Sequence, residues 1–267
     1  MPAKPNVLLV GCGKMGGALL RRWQELLLYK DICIIEPSPI SVLAAKQVAD
    51  FASIPEGFKP GVIVMAVKPQ VLPDMASQYK SYADAGTVIL SIAAGKPVSF
   101  FEKELGKKAA VIRSMPNTPA AIGAGITVAY ANKNVTATQK TQATQLLGAV
   151  GDVLWVEDEK LLNPVTALSG SGPAYVFLLI EAMAEAGRKL GLSKDMAEKL
   201  ARQTVIGSAA LAKDSSSLSP KKLRENVTSP GGTTAAALAV LMAKPGMQEI
   251  FDEALKAAST RAEELSV

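Results

Sequence analysis

Val7-Leu-Leu-Val10, then Gly11-Cys12-Gly13-Lys14-Met15-Gly16-Gly17, then a helical run from Ala18 to Leu28 decide the fold of this chain. The apolar tetrad predicts a short buried strand, and the periodic run after the glycines predicts a helix. G-x-G-x-x-G placed between a strand and a helix has a specific physical use. Gly11 makes the tight turn, Gly13 lets a pyrophosphate approach the backbone, and Gly16 lets the helix lie close on the sheet. Cys12, Lys14 and Met15 ride on the same turn, and the helix N-terminus offers amides without intrahelical partners to the anion. A second strand, Ile32-Cys-Ile-Ile35, ends in Glu36. An acid roughly twenty residues past the glycines, at a strand tip, is the expected partner of a ribose hydroxyl. Its plainer alternative is a solvent-exposed strand end.

The alternation continues outward. A helix over Ile40–Ala49 is expected, then strand Val62–Ala66 ending in Val67-Lys68-Pro69-Gln70, a helix, and strand Thr87–Ile92. A helix around Pro97–Leu105 precedes strand Ala109–Arg113, which runs into Met115-Pro-Asn-Thr-Pro119. Strand Ile126–Ala131, helix Thr136–Leu147 and strand Val153–Val156 follow. Strands alternating with helices predict an α/β domain, a Rossmann-type doubly wound and mostly parallel sheet over residues 1–157. Ligands bind at the carboxyl ends of such strands, where Ala66, Val67, Lys68, Pro69 and Asn117 fall. The plainer readings are a surface charge for Lys68 and a turn former beside its prolines for Asn117, and position favours the functional reading for each.

Past Glu157-Asp-Glu-Lys160 no strand is expected, and residues 158–267 predict an all-α domain. Pro173 suits the first turn of a helix through Leu190. Its stretch Tyr175-Val-Phe-Leu-Leu-Ile180 is apolar nearly all round, which predicts burial on every side. A domain of about a hundred residues has little core to provide that, so a partner subunit is expected. Ser193 caps a helix to about Ala212, and Ser219-Pro220 opens a short one. Asn226-Val-Thr-Ser-Pro-Gly-Gly-Thr-Thr234 then feeds an alanine-rich helix, and Pro245-Gly246 precedes the last, which ends near Leu265. Gly231 and Gly232 allow a tight turn, and the amides of Gly232, Thr233 and Thr234 open the helix with no acid nearby. Ser229, Thr233 and Thr234 add hydroxyls. The loop is therefore an anion site, or an ordinary helix capped by Ser229 or Thr233.

Composition excludes several classes. There is no histidine among 267 residues, so a Ser-His-Asp triad, a histidine acid and most zinc sites are ruled out, and no metal is expected. The net charge of +5 is scattered, without a basic stripe and interleaved aromatics, which suits small anions and argues against nucleic acid. Cys12 and Cys33 fall in apolar stretches and imply no disulfide framework, so an intracellular, cytoplasmic protein is expected. The start, Met-Pro-Ala-Lys-Pro, shows no signal-peptide pattern. Leu161–Ile180 is uncharged, but Asn163-Pro164 and Ser169-Gly-Ser-Gly-Pro173 interrupt it, so no membrane span is expected.

With these pieces assembled, the sequence resembles the 1-pyrroline-5-carboxylate reductase family. The resemblance rests on Val10–Gly16, Ala66-Val-Lys-Pro-Gln70, Leu168-Ser-Gly-Ser-Gly-Pro-Ala-Tyr175 and Val227-Thr-Ser-Pro-Gly-Gly-Thr-Thr234, with Arg113–Pro119 as a looser block. It implies NADPH or NADH as cofactor, 1-pyrroline-5-carboxylate and proline as ligands, and a homodimer from which decamers are built. It further implies that Asn226, Ser229, Gly231, Gly232, Thr233 and Thr234 hold the substrate, with Ser229 and the Gly232 and Thr233 amides on the carboxylate. Thr234, by the same resemblance, meets the ring nitrogen and is the catalytic candidate. Two departures stand out. Phe51-Ala-Ser-Ile-Pro55 replaces a region where the family commonly carries an Asn near the adenosine. Glu36 leans towards NADH in a family usually assigned NADPH, while the Ser38 hydroxyl is suited to a 2′-phosphate. The competing readings are a β-hydroxyacid dehydrogenase, a reductase of another small imine, and a non-catalytic dinucleotide sensor. Against the first, no lysine or arginine occurs between Gly170 and Arg188.

Overall fold

The computed structural model describes residues 3–40 and 45–266. Its first elements are β1 (Asn6–Val10), α1 (Lys14–Glu25), β2 (Asp31–Ile35), β3 (Lys46–Val48) and β4 (Val62–Met65). Two short helices, α2 (Leu72–Met75) and α3 (Lys80–Asp84), lead to β5 (Val88–Ser91), α4 (Val98–Leu105) and β6 (Val111–Met115). Then come β7 (Gly125–Ala131), α5 (Ala137–Gly148) and β8 (Gly151–Val156). The strands form one sheet in the order β3-β2-β1-β4-β5-β6-β7-β8, with β6 and β7 antiparallel and the other pairs among the described residues parallel. The predicted mostly parallel Rossmann-type sheet is therefore present.

Both faces of the sheet are covered, and the strand period of two shows it. Val7 and Leu9 pack one way, with Leu19, Trp23 and Leu146 of α1 and α5. Leu8 and Val10 pack the other way, with Leu72, Tyr79, Phe101 and Leu105. Trp23 is fully buried, and its indole N–H donates to the Leu146 carbonyl at 2.7 Å, so its one polar atom is satisfied.

The helix expected over Ile40–Ala49 needs correcting. Residues 41–44 lie outside the described residues, but Lys46–Val48 form β3, a parallel edge strand beside β2. The Gln47 side chain decides the matter. Its Nε2 donates to the carbonyls of Glu36 and Ser38, both at 2.7 Å, and its Oε1 accepts from the Ile40 amide at 3.3 Å. That stapling holds the segment extended against the turn after β2.

The remaining helices are α6 (Leu162–Val165), α7 (Gly172–Lys189), α8 (Lys194–Asp214), α9 (Pro220–Asn226), α10 (Thr233–Leu241) and α11 (Met247–Glu264). By packing, the chain forms two compact units. One compact unit holds Met1–Ser171 with Ala257–Val267, the other Gly172–Lys256. Residues 158–171 stay with the sheet for physical reasons. Leu162 is fully buried with Met115 and Val128, and Glu159 pairs with the buried Arg113 at 2.9 Å while accepting from the Val98 amide at 2.8 Å.

In the second unit α7 and α8 pack through Ala184, Ala197 and Ala201, all small, which lets the two helices approach closely. The expected burial of α7 on every side does not occur within one chain. Phe177 is 64% and Leu178 63% exposed, with Val176 and Leu179 also open. A contiguous apolar face of this kind marks an interaction surface.

Candidate functional site

At the carboxyl ends of β1, β2 and β4 lies a cleft of about 630 Å³. Its walls include Gly11, Gly13, Glu36, Ala66, Val67 and Lys68, all singled out in the sequence. Asp50, Phe51, Val71, Met75, Gln78 and Tyr79 also line it. Gly11 has φ +89, and a Cβ there would meet the Val67 Cγ1 at 2.8 Å and the Ala66 carbonyl oxygen at 2.9 Å. A Cβ on Gly16 would be driven into the Gly11 carbonyl oxygen, so α1 sits on its own turn with no room to spare. Gly13 is the contrast, since a Cβ there would meet nothing within 4 Å. The backbone at Gly13 faces open space at the head of α1, where no side chain caps the helix and no acid occupies the first turn. A bare helix N-terminus beside an open glycine fits a dinucleotide pyrophosphate.

Glu36 is held by the same turn. Its Oε2 accepts from the Cys12 amide at 2.9 Å and its Oε1 from the Ser38 amide at 3.1 Å. The Cys12 thiol is pushed up, by burial first and by the Glu36 charge second, which disfavours the thiolate. Cys12, Lys14, Met15, Gly16, Ser38 and Pro69 flank the cleft in sequence without lining it.

Asn117 is not brought to the cleft. Its Oδ1 accepts from the Ile126 amide at 3.0 Å and its Nδ2 reaches the Ser169 hydroxyl at 3.4 Å, so it ties β6 to the start of β7. Of its two sequence readings, the local structural role is the one its hydrogen bonds fill.

In the second unit, Asn226 is the last residue of α9 and is exposed. Gly231 has φ +70, the left-handed conformation its place in the turn requires. Gly232, not Ser229 or Thr233, is the N-cap of α10, and no side chain bonds the first turn. The expected availability of the Gly232 amide needs correcting, because it donates to the Ser229 carbonyl at 3.0 Å and closes the turn. The anion-binding potential falls on the helical amides after it, beginning with Thr233 and Thr234. Thr233 is exposed and Thr234 half-buried.

Comparisons with known proteins meet this geometry at both ends. A family model described as pyrroline-5-carboxylate reductase dimerisation matches residues 159–265. One described as NADP oxidoreductase, coenzyme F420-dependent, matches residues 6–95. A pyrroline-5-carboxylate reductase of Pseudomonas aeruginosa is 47% identical over 205 residues, 77% of this chain and 74% of that protein. The chain belongs to the pyrroline-5-carboxylate reductase family. Among solved members, the reductase of Coxiella burnetii superposes with a TM-score of 0.91 at 36% identity, covering 99% of this chain and 100% of that one. The Plasmodium falciparum pyrroline carboxylate reductase, solved with NADP bound, gives 0.84 at 28% identity and covers 100% of both chains.

The exposed face of α7 falls within the stretch matched to dimerisation, which supports oligomer formation. By length and a mean hydropathy of 1.3, the helical stretch Glu159–Lys189 is apolar enough to cross a membrane. In a pyrroline-5-carboxylate reductase of this sequence the cleft residues missed beforehand, such as Asp50, Met75 and Tyr79, come from separate segments. No spacing rule links them.

Proposed function

We infer that this chain reduces 1-pyrroline-5-carboxylate to L-proline, the last step of proline biosynthesis, with a reduced nicotinamide dinucleotide. Its relatedness along the whole chain to reductases of that name supports the reading. The observation that carries it to residues is the bare first turn of α10, with a left-handed glycine before it and two threonines in it.

When bound, the dinucleotide supplies a hydride for the imine carbon. The amides at the start of α1 would carry its pyrophosphate, with Glu36 at the ribose and Ala66, Val67, Lys68 and Pro69 along the β4 side. Ser229 and the Thr233 and Thr234 amides would hold the substrate carboxylate, and the Thr234 hydroxyl would accept from the protonated ring nitrogen. Gly231 and Gly232 shape that turn, and Asn226 ends the helix before it. A protonated imine is already electrophilic, so a chain without histidine needs only to fix its orientation. The working species is a cytoplasmic homodimer, with α7 against a second copy, and a decamer built from such dimers would leave this chemistry unchanged.

The test follows NADH and NADPH absorbance with and without racemic 1-pyrroline-5-carboxylate. Oxidation that depends on the imine and yields proline is expected. A protein that binds dinucleotide but oxidises none when the imine is added would overturn the reading in favour of a non-catalytic sensor.

A further inference from the structure

The dinucleotide cleft differs from what an NADP-named family leads one to expect at the place where a 2′-phosphate would lie. Glu36 stands there, and its carboxylate is doubly anchored. The Cys12 amide fixes one oxygen at 2.9 Å and the Ser38 amide the other at 3.1 Å. The turn behind it is stapled by Gln47 to the Glu36 and Ser38 carbonyls, so the acid does not swing aside cheaply. The Ser38 hydroxyl is suited to a phosphate, but the Ser38 amide holds the Glu36 carboxylate in the same turn. A second acid, Asp50, lines the same cleft, fixed by the Ser53 amide at 3.0 Å and the Ser53 hydroxyl at 2.8 Å.

The cations that would compensate are misplaced. From Pro37 to Ala45, the segment where NADP-binding sites carry an arginine, there is no lysine or arginine. Lys46 pairs with Cys33, at the entry of β3 rather than beside Ile35 at the strand tips. Lys68 is the one basic residue in the cleft wall among the described residues, and it follows β4. β1 lies between β2 and β4, so Lys68 is two strand spacings, about 10 Å, from the β2 tip.

The geometry points to NADH as the preferred cofactor, with Glu36 as the residue that discriminates by accepting from the ribose hydroxyls and repelling a 2′-phosphate. Asp50 adds to the repulsion. The inference rests on the reductase reading above and specifies its cofactor. An acceptor-only carboxylate suits two hydroxyl donors, whereas a dianion beside it is a like-charge contact with no partner.

The test uses the full-length protein and reads binding apart from turnover. Calorimetric affinities are measured for ADP-ribose and 2′-phospho-ADP-ribose, alongside kcat/KM for NADH and NADPH. ADP-ribose should bind at least about tenfold more tightly, and kcat/KM should favour NADH to a similar degree. Glu36→Gln should bring the two ligands within about threefold, chiefly by strengthening 2′-phospho-ADP-ribose, and Asp50→Asn should narrow the gap less. Equal or tighter binding of 2′-phospho-ADP-ribose by the unaltered protein would overturn the proposal and leave the reductase reading standing. So would a ratio unmoved in Glu36→Gln, the result if Glu36 only braces the loop. If neither ligand binds, the cleft is not a nucleotide site, and both this inference and the cofactor assignment fall.

Discussion

Two helix starts in this molecule share one design and differ in what surrounds them. α1 and α10 each follow a left-handed glycine, Gly11 or Gly231, and each begins without a side-chain cap or a first-turn acid. Around α1 the fold is closed. Gly11 and Gly16 have no space for a Cβ, and Val7–Val10 of the strand before them are fully buried. Around α10 it is open, since a Cβ on Gly231 would meet nothing within 4 Å, and no residue of α10 is buried. The first site is completed by the core of a single chain. The second belongs to a unit whose apolar α7 face is itself uncovered in one chain. The same backbone device thus sits in a tightly packed turn in one unit and in an open one in the other.

Substitution of the two glycine turns tests that contrast with the largest expected effect. Gly16→Val pushes α1 off the Gly11 carbonyl, and a displacement near 1 Å should weaken ADP-ribose binding by about 100-fold or more, read by calorimetry. Gly231→Ala carries only the left-handed penalty of about 1–2 kcal/mol, so ADP-ribose binding should stay unchanged while proline binding weakens. Equal loss of ADP-ribose binding in both variants would remove the distinction. Thr234→Ala sharpens it next. Losing a hydrogen bond to a charged nitrogen, worth about 1.5–3 kcal/mol, should lower imine reduction by roughly 10–100-fold with cofactor affinity intact. Unchanged turnover would take Thr234 out of the mechanism. Phe177→Arg places a charge on the exposed α7 face. Sedimentation should show loss of the oligomer, and activity should fall with it while ADP-ribose binding is retained.

How far these features were legible depended on whether one residue's chemistry could carry them. Gly11 and Gly16 are legible because neither has room for a Cβ, and Gly13 and Glu36 because they complete the spacing of the same fingerprint. The sheet was legible because its strands are short apolar runs between turn residues. β3 was not, since Lys46-Gln47-Val48 has no strand signal of its own and is held extended by Gln47 bonds made across the turn. Asp50, Phe51, Met75 and Tyr79 meet in the cleft only after the chain has folded. The Gly232 amide was misjudged because a turn bond to Ser229 cannot be told from a free amide by composition. Asn117 likewise looked like a ligand from its place at a strand end, and its partners proved to be Ile126 and Ser169.

The smallest expected effect concerns pH and the closed unit alone. Burial pushes the Tyr79 hydroxyl up, with Tyr82 adding to it, and burial likewise raises the Cys33 thiol. These groups hold their protons more tightly folded than unfolded, so their contribution is complete below the unfolded values of 9.0 and 10.0. It is lost as pH rises beyond them. The Tm of the sheet unit should therefore be flat near neutrality and fall above about pH 9 to 10. The Tyr79 hydroxyl is buried without a hydrogen-bond partner. Tyr79→Phe should accordingly cost nothing at neutral pH, stabilise by up to about 1 kcal/mol, and soften the alkaline decline.

The central claim is that amides opening α10 grip the acid group of the substrate while the cleft at α1 holds the nucleotide. A crystal structure of the oligomer with proline and dinucleotide bound tests it most directly. The account predicts the proline carboxylate within hydrogen-bond distance of the Thr233 and Thr234 amides, its ring nitrogen at the Thr234 hydroxyl, and the pyrophosphate over Gly13. Proline seated away from residues 229–234, or a pyrophosphate away from Gly13, would contradict it.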